Sequence, residues 1–455
     1  MGVSDSYAEF IVNTKFDNIP EEVIAVAKEH ILDTLGVALA GAVEQPSIII
    51  KEFVRKCGGV PESSIIGAGS RSSAPNAALA NGTMAHILDY DDILPGGHVS
   101  VVVLPAVLAL GEKLHLSGKD TLSAYIIGFE VFTRLFGATS YQQYGKLHTT
   151  ALFGHLAATA ASAKALSLDA GQIKMAFGIA TSEASGVYGN NFTMVKAFHA
   201  GNTCKNGVTA AMLAGAGYQS AENMIESQFG FLNTFVGEGN YNLVQATNNI
   251  GAPFMIHSPG ISIKKYPSCY WIDNALDAVL GLIRERNLSY EQIESVEVEG
   301  APDLPKRLRY SNPQDGLQAK FSMNYNMAAA ILDGKVTRST FEDNKIRDQK
   351  IQEAMKKIKV TIHPEWPEGE KRSHNPVTIT CKDGKVYRRT VESAKGAPQN
   401  RLTWQELVEK FEDNAAEVLT VQQIKKVVSL VKNLQDIPNI SQLMTMLTKN
   451  NHIKA

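Results

Sequence analysis

The sequence predicts a mainly α protein in which a large all-helical domain, built from both ends of the chain, is interrupted by a smaller α+β domain. Three observations lead to this prediction. Apolar residues recur at helical spacing up to about residue 262, an alternation with a period of two follows, and helical spacing returns at Thr403. The predicted boundaries divide the chain into residues 1–262, 263–400 and 401–455.

The helices of the first part are predicted from apolar spacing and from small residues. Pro20 opens one helix, because proline is tolerated in the first turn, and apolar residues then recur from Val23 to Ala38. Two later stretches, 156–163 and 207–214, are rich in alanine and other small residues. Small side chains let backbones approach closely, so we expect these helices inside a large bundle.

The second part has the pattern of strands. Residues 296–299 and 358–362 alternate between apolar and polar side chains, and 377–381 lead into Asp383-Gly384. This pair predicts a hairpin, because a type I′ turn needs positive φ angles. Two stretches of this part have helical character: 321–332 and 347–357.

The last part returns to helices. Thr403 and Glu406 form a capping box ahead of an apolar run, which predicts that a helix begins there. A second apolar stripe at helical spacing runs from Val421 to Leu434.

Composition excludes several classes of protein. The chain of 455 residues has 44 Lys and Arg against 46 Asp and Glu, which argues against nucleic acid as a partner. The best membrane candidate, Val99 to Leu110, is too short to span a bilayer and contains Pro105. The four cysteines lie far apart, as in a protein of a reducing compartment. We therefore expect a cytoplasmic protein without a membrane partner.

Candidate catalytic residues lie in a stretch that holds six of the eleven histidines: His86, His98, His115, His148, His155 and His199. Three aspartates, at positions 89, 91 and 92, precede a Pro-Gly-Gly turn that leads to His98. One of these carboxylates can fix the tautomer of His98. His148 precedes a small-residue helix, whose N-terminus lowers the pKa of a histidine and attracts anions. The plainer interpretation is that each histidine is structural and the acidic cluster is a solvated helix end.

Charge is sparse around His148. Residues 141–220 contain five lysines and two acidic residues, a lower charge density than the 20% of the whole chain. Charge kept in an apolar region usually has a partner. A small anionic ligand is the simplest partner. A magnesium site is a weaker hypothesis, because Asp89 and Asp92 resemble half of a DDxxD motif but no second acidic motif follows.

A series of short motifs runs along nearly the whole chain: Ile31–Gly36, Asn81–Gly82, Asp89–Asp92, His98–Ser100, His148–Thr150, Lys196–Gly201, Lys265–Ser268 and Leu332–Gly334. In this order they resemble the MmgE/PrpD family. The resemblance implies a large helical domain with a smaller α+β lid, a homodimer, and neither cofactor nor metal.

The resemblance also implies the site residues. Six residues fall on positions that line the pocket in the decarboxylase branch of the family: Asp89, His98, His148, Lys196, Lys264 and Tyr325. His148 and His98 would be proton donor and acceptor, and Asp89 would orient a histidine. Lys196 and Lys264 would hold substrate carboxylates and stabilise enolate-like charge. Tyr325 would supply a hydrogen bond or a proton.

The family's activities share one type of chemistry. They include 2-methylcitrate dehydratase, cis-aconitate decarboxylase and iminodisuccinate epimerase. The resemblance therefore implies a cofactor-independent lyase for a small di- or tricarboxylate, of the cis-aconitate decarboxylase type. A 2-methylcitrate dehydratase-type hydro-lyase, an iminodisuccinate epimerase-type isomerase and a catalytically dead acid-binding relative stay open. So does a metal-dependent synthase or hydrolase using Asp89 and Asp92.

The sequence departs from the decarboxylase branch at three places. The lead into His98 is shortened to Pro95-Gly96-Gly97, and Cys269 stands where that branch has a histidine. Gln143-Tyr144 stands near a pocket methionine position. The resemblance therefore predicts the reaction class and leaves the substrate open.

Overall fold

A computed structural model describes residues 2–94, 96–140, 146–191, 193–368 and 375–448. The chain forms two compact units. One combines Met1–Ser262 with Thr403–Ala455, and the other is Ile263–Leu402. The predicted mainly α class is confirmed, since 58% of the residues are helical and 8% lie in strands.

Ten α-helices are described in the first part of the larger unit: α1 Val3–Asn13, α2 Glu21–Gly41, α3 Gln45–Cys57, α4 Ala74–His86, α5 Ser100–Leu114, α6 Gly118–Gly137, α7 Thr149–Ala165, α8 Ala170–Ser182, α9 Val195–Gly215 and α10 Leu243–Thr247. This unit is not entirely helical. Two short strands, β1 Ser63–Ser64 and β2 Arg71–Ser72, pair antiparallel. Strands of two residues are too short to show an alternation in the sequence.

Helices α4 and α9 approach closely because both contribute glycine to their contact. A Cβ atom on Gly82 would lie 2.8 Å from Cys204 Sγ, and one on Gly201 would lie 2.2 Å from the carbonyl oxygen of Leu79. The same holds where α9 meets α7, since a Cβ on Gly207 would lie 2.4 Å from Ala158 Cβ. The small-residue stretches therefore pack inside the helical unit, as the sequence predicts, and let α9 lie close to both α4 and α7.

The smaller unit contains a four-stranded sheet in the order β4-β3-β5-β6. Its strands are β3 Ile293–Gly300, β4 Ile358–Ile362, β5 Val377–Cys381 and β6 Val386–Arg389. Its helices are α11 Asp273–Arg286, α12 Leu304–Arg307, α13 Gly316–Ala319, α14 Met323–Asp333, α15 Asp343–Ile346 and α16 Gln349–Met355. The hairpin predicted at Asp383-Gly384 is present, with Thr380 opposite Val386. The turn is not of type I′, because Gly384 has a positive φ of 83° but Asp383 does not. Strands β3 and β4 are parallel, so the chain crosses over between them.

The chain then returns to the larger unit with α17 Trp404–Ala415, α18 Val421–Lys432 and α19 Ser441–Met446. The predicted capping box is present, since Thr403 and Glu406 each accept the other's backbone N–H. Helix α17 packs on α2, and Lys410 Nζ lies 2.6 Å from Asp33 Oδ1. Both ends of the chain thus build one unit. Among the described residues, none of the helices is both long enough and apolar enough to cross a membrane.

Candidate active site

The candidate site lies where four helices of the larger unit begin or end. His86 is the last residue of α4, and His98 stands two residues before α5. His148 is the residue directly before α7, while Lys196 and His199 lie near the start of α9. The backbone N–H of His98 donates to Thr150 Oγ1 at 3.1 Å, which ties the α5 end to α7.

Asp89 lies between Lys196 and His98. Lys196 Nζ donates to Asp89 Oδ1 at 2.7 Å, and the same oxygen lies 3.6 Å from His98 Nε2. Asp89 has a φ of 52°, the left-handed region that aspartate adopts more readily than most residues. This turn directly after α4 directs the carboxylate towards the start of α9. Lys196 and His98 therefore approach one carboxylate from two sides.

Asp91 bridges two imidazole rings. Its Oδ1 lies 3.0 Å from His86 Nδ1, and its Oδ2 lies 2.7 Å from His98 Nδ1. All three residues are buried. Asp89, which we expected to orient a histidine, is thus joined at His98 by a second carboxylate, that of Asp91 beside Nδ1. Asp89 faces the other ring nitrogen and Lys196.

The contacts of His98 fix its tautomer. Its Nδ1 also lies 2.9 Å from the backbone carbonyl oxygen of Asp92, which can only accept a hydrogen bond. Nδ1 therefore carries a proton, and the Asp91 carboxylate beside it favours the same assignment. In the neutral ring, the lone pair is on Nε2 and points to the side of Asp89 and Lys196.

Asp92 has a structural task at the start of α5. Its carboxylate accepts from the backbone N–H groups of Val99 at 3.3 Å and Ser100 at 3.1 Å, and from the Ser100 hydroxyl. His30 Nδ1 lies 2.8 Å from Asp92 Oδ2 on the other side. The side chain caps the helix and holds the Asp92 carbonyl against His98. Asp92 is therefore engaged away from Asp89, which removes the basis for a magnesium site built from this pair.

His148 and His199 share one proton. Their Nδ1 atoms lie 3.4 Å apart, so one ring must donate and the other accept. The His148 ring also stacks on His86, with centroids 5.9 Å apart and an interplanar angle of 15°. His86 in turn lies edge-on to His98, at 4.6 Å between centroids. Four histidines thus form one contiguous group.

Most of these histidines are neutral at pH 7. Burial lowers the pKa of His86 to about 4, although Asp91 opposes this effect. Burial also lowers the pKa of His199 to about 4 and holds that of His148 well below its ordinary value, and Lys196 adds to both shifts. The predicted direction for His148 is found, but its causes are burial and Lys196. Burial raises the pKa of Asp91, yet His98 and His86 outweigh it and hold that pKa well below its usual range.

One group of side chains has the composition of a metal site. Ligand atoms of His86, Asp89, Asp91 and His98 lie within 4.8 Å of one another. The arrangement does not favour a cation, because the Lys196 ammonium already lies against Asp89 and both Nδ1 atoms face Asp91. An added positive charge would meet Lys196 at close range.

The remaining predicted site residues lie in the smaller unit. Lys264 is buried there, in a segment before α11. Tyr325 is fully buried in α14, and its hydroxyl donates to the carbonyl oxygen of Thr340. Cys269 is half-buried in the same unit. Gln143, Tyr144 and Pro95 lie outside the described residues.

The lysines of residues 141–220 have different partners in the structure. Lys164 Nζ donates to the carbonyl oxygens of Ile11 and Thr14, and Lys174 pairs with Glu222. Only Lys196 among these three joins the histidines. The local charge count therefore overstated the cationic character of the site. Two further histidines of this stretch, which were given no site role, are structural: His115 caps the end of α5 with a φ of 55°, and His155 Nδ1 donates to its own helix.

His86, Asp91 and His199 are members of the group that were not predicted. A local signal exists for His199, because it follows Lys196 by three residues and thus shares its helix face. His86 ends a helix and Asp91 follows in an irregular turn, so no periodicity relates these two. Their pairing becomes visible only with coordinates.

Comparisons with known proteins place the chain in a family. The chain matches the MmgE/PrpD N-terminal domain over residues 5–244 and the C-terminal domain over residues 266–436. It is 28% identical to the cis-aconitate decarboxylase of Homo sapiens, covering 98% of this chain and 94% of that protein. The identity is 27% to the Mus musculus protein of that name, with 98% and 93% covered, and 25% to the Aspergillus terreus one, with 98% and 96% covered. Since the two domain matches span most of its length, the chain belongs to the MmgE/PrpD family.

Proposed function

We propose that the chain is a cofactor-independent carboxy-lyase that converts cis-aconitate to itaconate. The observation that carries this proposal is the buried group in which Asp89 stands between the Lys196 ammonium and His98 Nε2. The relatives described above support the enzyme class, because decarboxylases are carboxy-lyases. They also support cis-aconitate as the first substrate to test.

The reaction needs one proton per turnover. The cis-aconitate trianion takes up a proton at its vinylic carbon, and the electron pair of the old double bond forms the new C–H bond. The carboxymethyl group loses CO₂, and the electron pair of the broken C–C bond forms the methylene double bond. The products are CO₂ and the itaconate dianion. The protein must therefore hold carboxylates and deliver a proton to a carbon next to one of them.

The site residues suit these two tasks. An ammonium group has three N–H donors, so Lys196 can bind a substrate carboxylate while it keeps Asp89. His98 is suited to carry the transferred proton on Nε2, because a carboxylate beside Nδ1 stabilises an imidazolium. His148 is neutral at pH 7 owing to its burial, so we assign it an uncharged hydrogen bond or a base function.

The functions expected of Lys264 and Tyr325 stay predictions. Lys264 would bind a substrate carboxylate, and Tyr325 would supply a hydrogen bond or a proton. Lys264→Met is expected to raise KM. Tyr325→Phe is expected to lower kcat if its hydroxyl contacts substrate. If that hydroxyl serves only the Thr340 carbonyl, the variant instead loses stability at unchanged kcat.

The test is a panel of acids read by proton NMR. The purified protein is incubated with cis-aconitate, citrate, 2-methylcitrate and iminodisuccinate. Itaconate from cis-aconitate, and from no other acid, supports the proposal. An unsaturated acid from 2-methylcitrate would identify a hydro-lyase, and exchange without elimination an epimerase. Binding without turnover of any acid would identify a catalytically dead relative.

Cofactor independence and the homodimer are tested separately. Turnover is expected to be the same before and after dialysis against EDTA, because the cation beside Asp89 is a lysine. A loss that Mg²⁺ or Zn²⁺ restores would contradict this. Light scattering after gel filtration is expected to give twice the chain mass of 49.3 kDa.

A further inference from the structure

We propose that Asp91 and His86 are positioning residues that hold His98 in its Nδ1–H tautomer, so that Nε2 is the nitrogen that exchanges a proton with substrate. This inference rests on the proposed function for its catalytic consequence. Its structural part, the tautomer of His98, does not depend on which acid is the substrate.

The first argument is the geometry of the bridge. The two oxygens of Asp91 face two different imidazoles, at 3.0 Å from His86 Nδ1 and 2.7 Å from His98 Nδ1. A carboxylate only accepts hydrogen bonds, so His86 Nδ1 donates to Asp91 Oδ1. His98 Nδ1 lies in close ionic contact with Asp91 Oδ2, and its hydrogen bond goes to the Asp92 carbonyl oxygen, so this nitrogen is protonated as well. Asp91 and His86 are both buried, and water does not compete for these contacts.

The second argument is that, among the described residues, Asp91 is the one hydrogen-bond partner of the His86 ring. Its Nε2 is buried, and none of the described residues offers it a hydrogen bond. Orphaned buried polar atoms cost free energy and usually have a reason. We infer that the His86 ring is kept at the end of α4 for its other nitrogen. Nδ1 donates to Asp91 and so restricts the carboxylate to the orientation that places it beside His98.

The third argument is the distinct use of the neighbouring aspartates. Asp92 fixes the start of α5 through its side chain and offers its carbonyl oxygen to His98 Nδ1 at 2.9 Å. Asp89 lies on the Nε2 side with Lys196. The three neighbouring aspartates therefore have three functions. Asp89 lies beside the nitrogen that would face substrate, Asp91 lies beside the protonated nitrogen of His98, and Asp92 caps a helix.

The experiment is ¹⁵N NMR of histidine side chains in the substrate-free protein, at a pH where the rings are neutral. The His98 signals are identified by their loss in His98→Gln. In the wild type we expect a protonated Nδ1 and an unprotonated Nε2 for His98. The opposite tautomer in the wild type overturns the inference without the need for any further variant.

Three variants extend the test. Asp91→Asn removes the negative charge beside His98 Nδ1, so we expect a changed or mixed His98 tautomer. His86→Asn keeps a donor near the place of Nδ1 and is expected to retain the tautomer, whereas His86→Leu is expected to loosen it. The control is Glu112→Gln, a buried carboxylate paired with Arg71 about 18 Å further along α5, which should leave the His98 signals unchanged.

Kinetics supply a second readout. With an acid that is turned over, Asp91→Asn should lower kcat by about 10²-fold or more at a KM within about threefold of wild type. An unchanged tautomer together with an unchanged kcat in Asp91→Asn overturns the inference. If no acid is turned over but the predicted tautomers are found, the proposed function fails and the positioning of His98 stands.

Discussion

Lys196 Nζ lies 2.7 Å from Asp89 Oδ1 in a site where His86, His148 and His199 are neutral at pH 7. Side-chain exposure is 16% for the lysine and 11% for the aspartate, so solvent still reaches both. A substrate carboxylate can therefore approach the ammonium group without first uncovering a sealed ion pair. This relationship supports the proposal that Lys196 binds a carboxylate of a small acid.

The first prediction concerns Lys196. Lys196→Met removes the cation beside Asp89, and we expect kcat/KM to fall by about 10²-fold because a charge-assisted contact to substrate is lost. Steady-state kinetics measure the effect. Lys174→Met, which removes a lysine of similar exposure paired with Glu222, is the control and should keep wild-type kinetics. Equal activity of the two variants would remove Lys196 from the site.

The second prediction concerns His148. His148→Ala is expected to lower kcat by about 10²- to 10⁴-fold, the usual loss when a general acid or base is removed. His155→Ala is the control, because His155 is equally buried in α7 but donates to the Ala151 carbonyl. It should lower stability at unchanged kcat. The assignment fails if His148→Ala behaves like His155→Ala.

The third prediction concerns the helix cap at Asp92. Asp92→Ala leaves His30 Nδ1 and the N–H groups of Val99 and Ser100 without their acceptor in the interior, so we expect a loss of about 3 kcal/mol in the free energy of unfolding. Urea denaturation measures it. Asp169→Ala removes the exposed cap of α8 and should cost only about 1 kcal/mol. Similar losses in both variants would contradict the anchoring function of Asp92.

The fourth prediction is the dependence of stability on pH. The pKa values of His86 and His199 are about 4 in the native state, against 6.5 for an ordinary histidine. The unfolded chain therefore binds more protons between pH 6.5 and 4, so the free energy of unfolding falls as the pH falls through this range. The slope approaches about 1.4 kcal/mol per pH unit for each such histidine. Urea midpoints at pH 7 and 5 measure it, and His199→Gln should reduce the difference. An identical difference in this variant would refute the shift.

The fifth prediction tests the helix contact that brings the site together. Gly201→Val places a branched side chain where even a Cβ would lie 2.2 Å from the Leu79 carbonyl. Since a backbone atom cannot move aside cheaply, we expect a loss of several kcal/mol, with thermal unfolding as the measurement. Gly217→Ala provides a contrast, because no atom lies within 4 Å of its Cβ position although its φ is 93°. A larger loss at Gly217 would contradict the close contact of α4 and α9.

Local patterns predicted what depends on local physics. The capping box at Thr403 and the hairpin at Asp383-Gly384 are set by short-range hydrogen bonds and φ requirements, and both are present. The mainly α class and the family were likewise predictable. The parallel pairing of β3 with β4 was not, because nothing in either strand encodes a partner 62 residues away in sequence.

Some residues of the site could likewise be predicted from local patterns and others could not. Asp89, His98, His148 and Lys196 stand in motifs, and four helix ends bring them together. The bridge through Asp91 could not be derived, because its two histidines lie five and seven residues away in different directions along an irregular turn. Three consecutive acidic side chains have the same chemistry in a sequence. Their different surroundings in the fold set them apart. Asp89 faces Lys196, Asp91 lies between two histidines, and Asp92 caps the start of a helix.

The central claim is that this buried group of histidines, aspartates and Lys196 decarboxylates cis-aconitate by delivering a proton to its vinylic carbon. The most direct measurement is the product formed from cis-aconitate in D₂O, followed by proton NMR for the wild type and for folded Lys196→Met. We predict itaconate with one deuterium in its saturated methylene group for the wild type and a rate at least about 10²-fold lower for the variant. Itaconate without deuterium, or the same rate in both proteins, would contradict the claim.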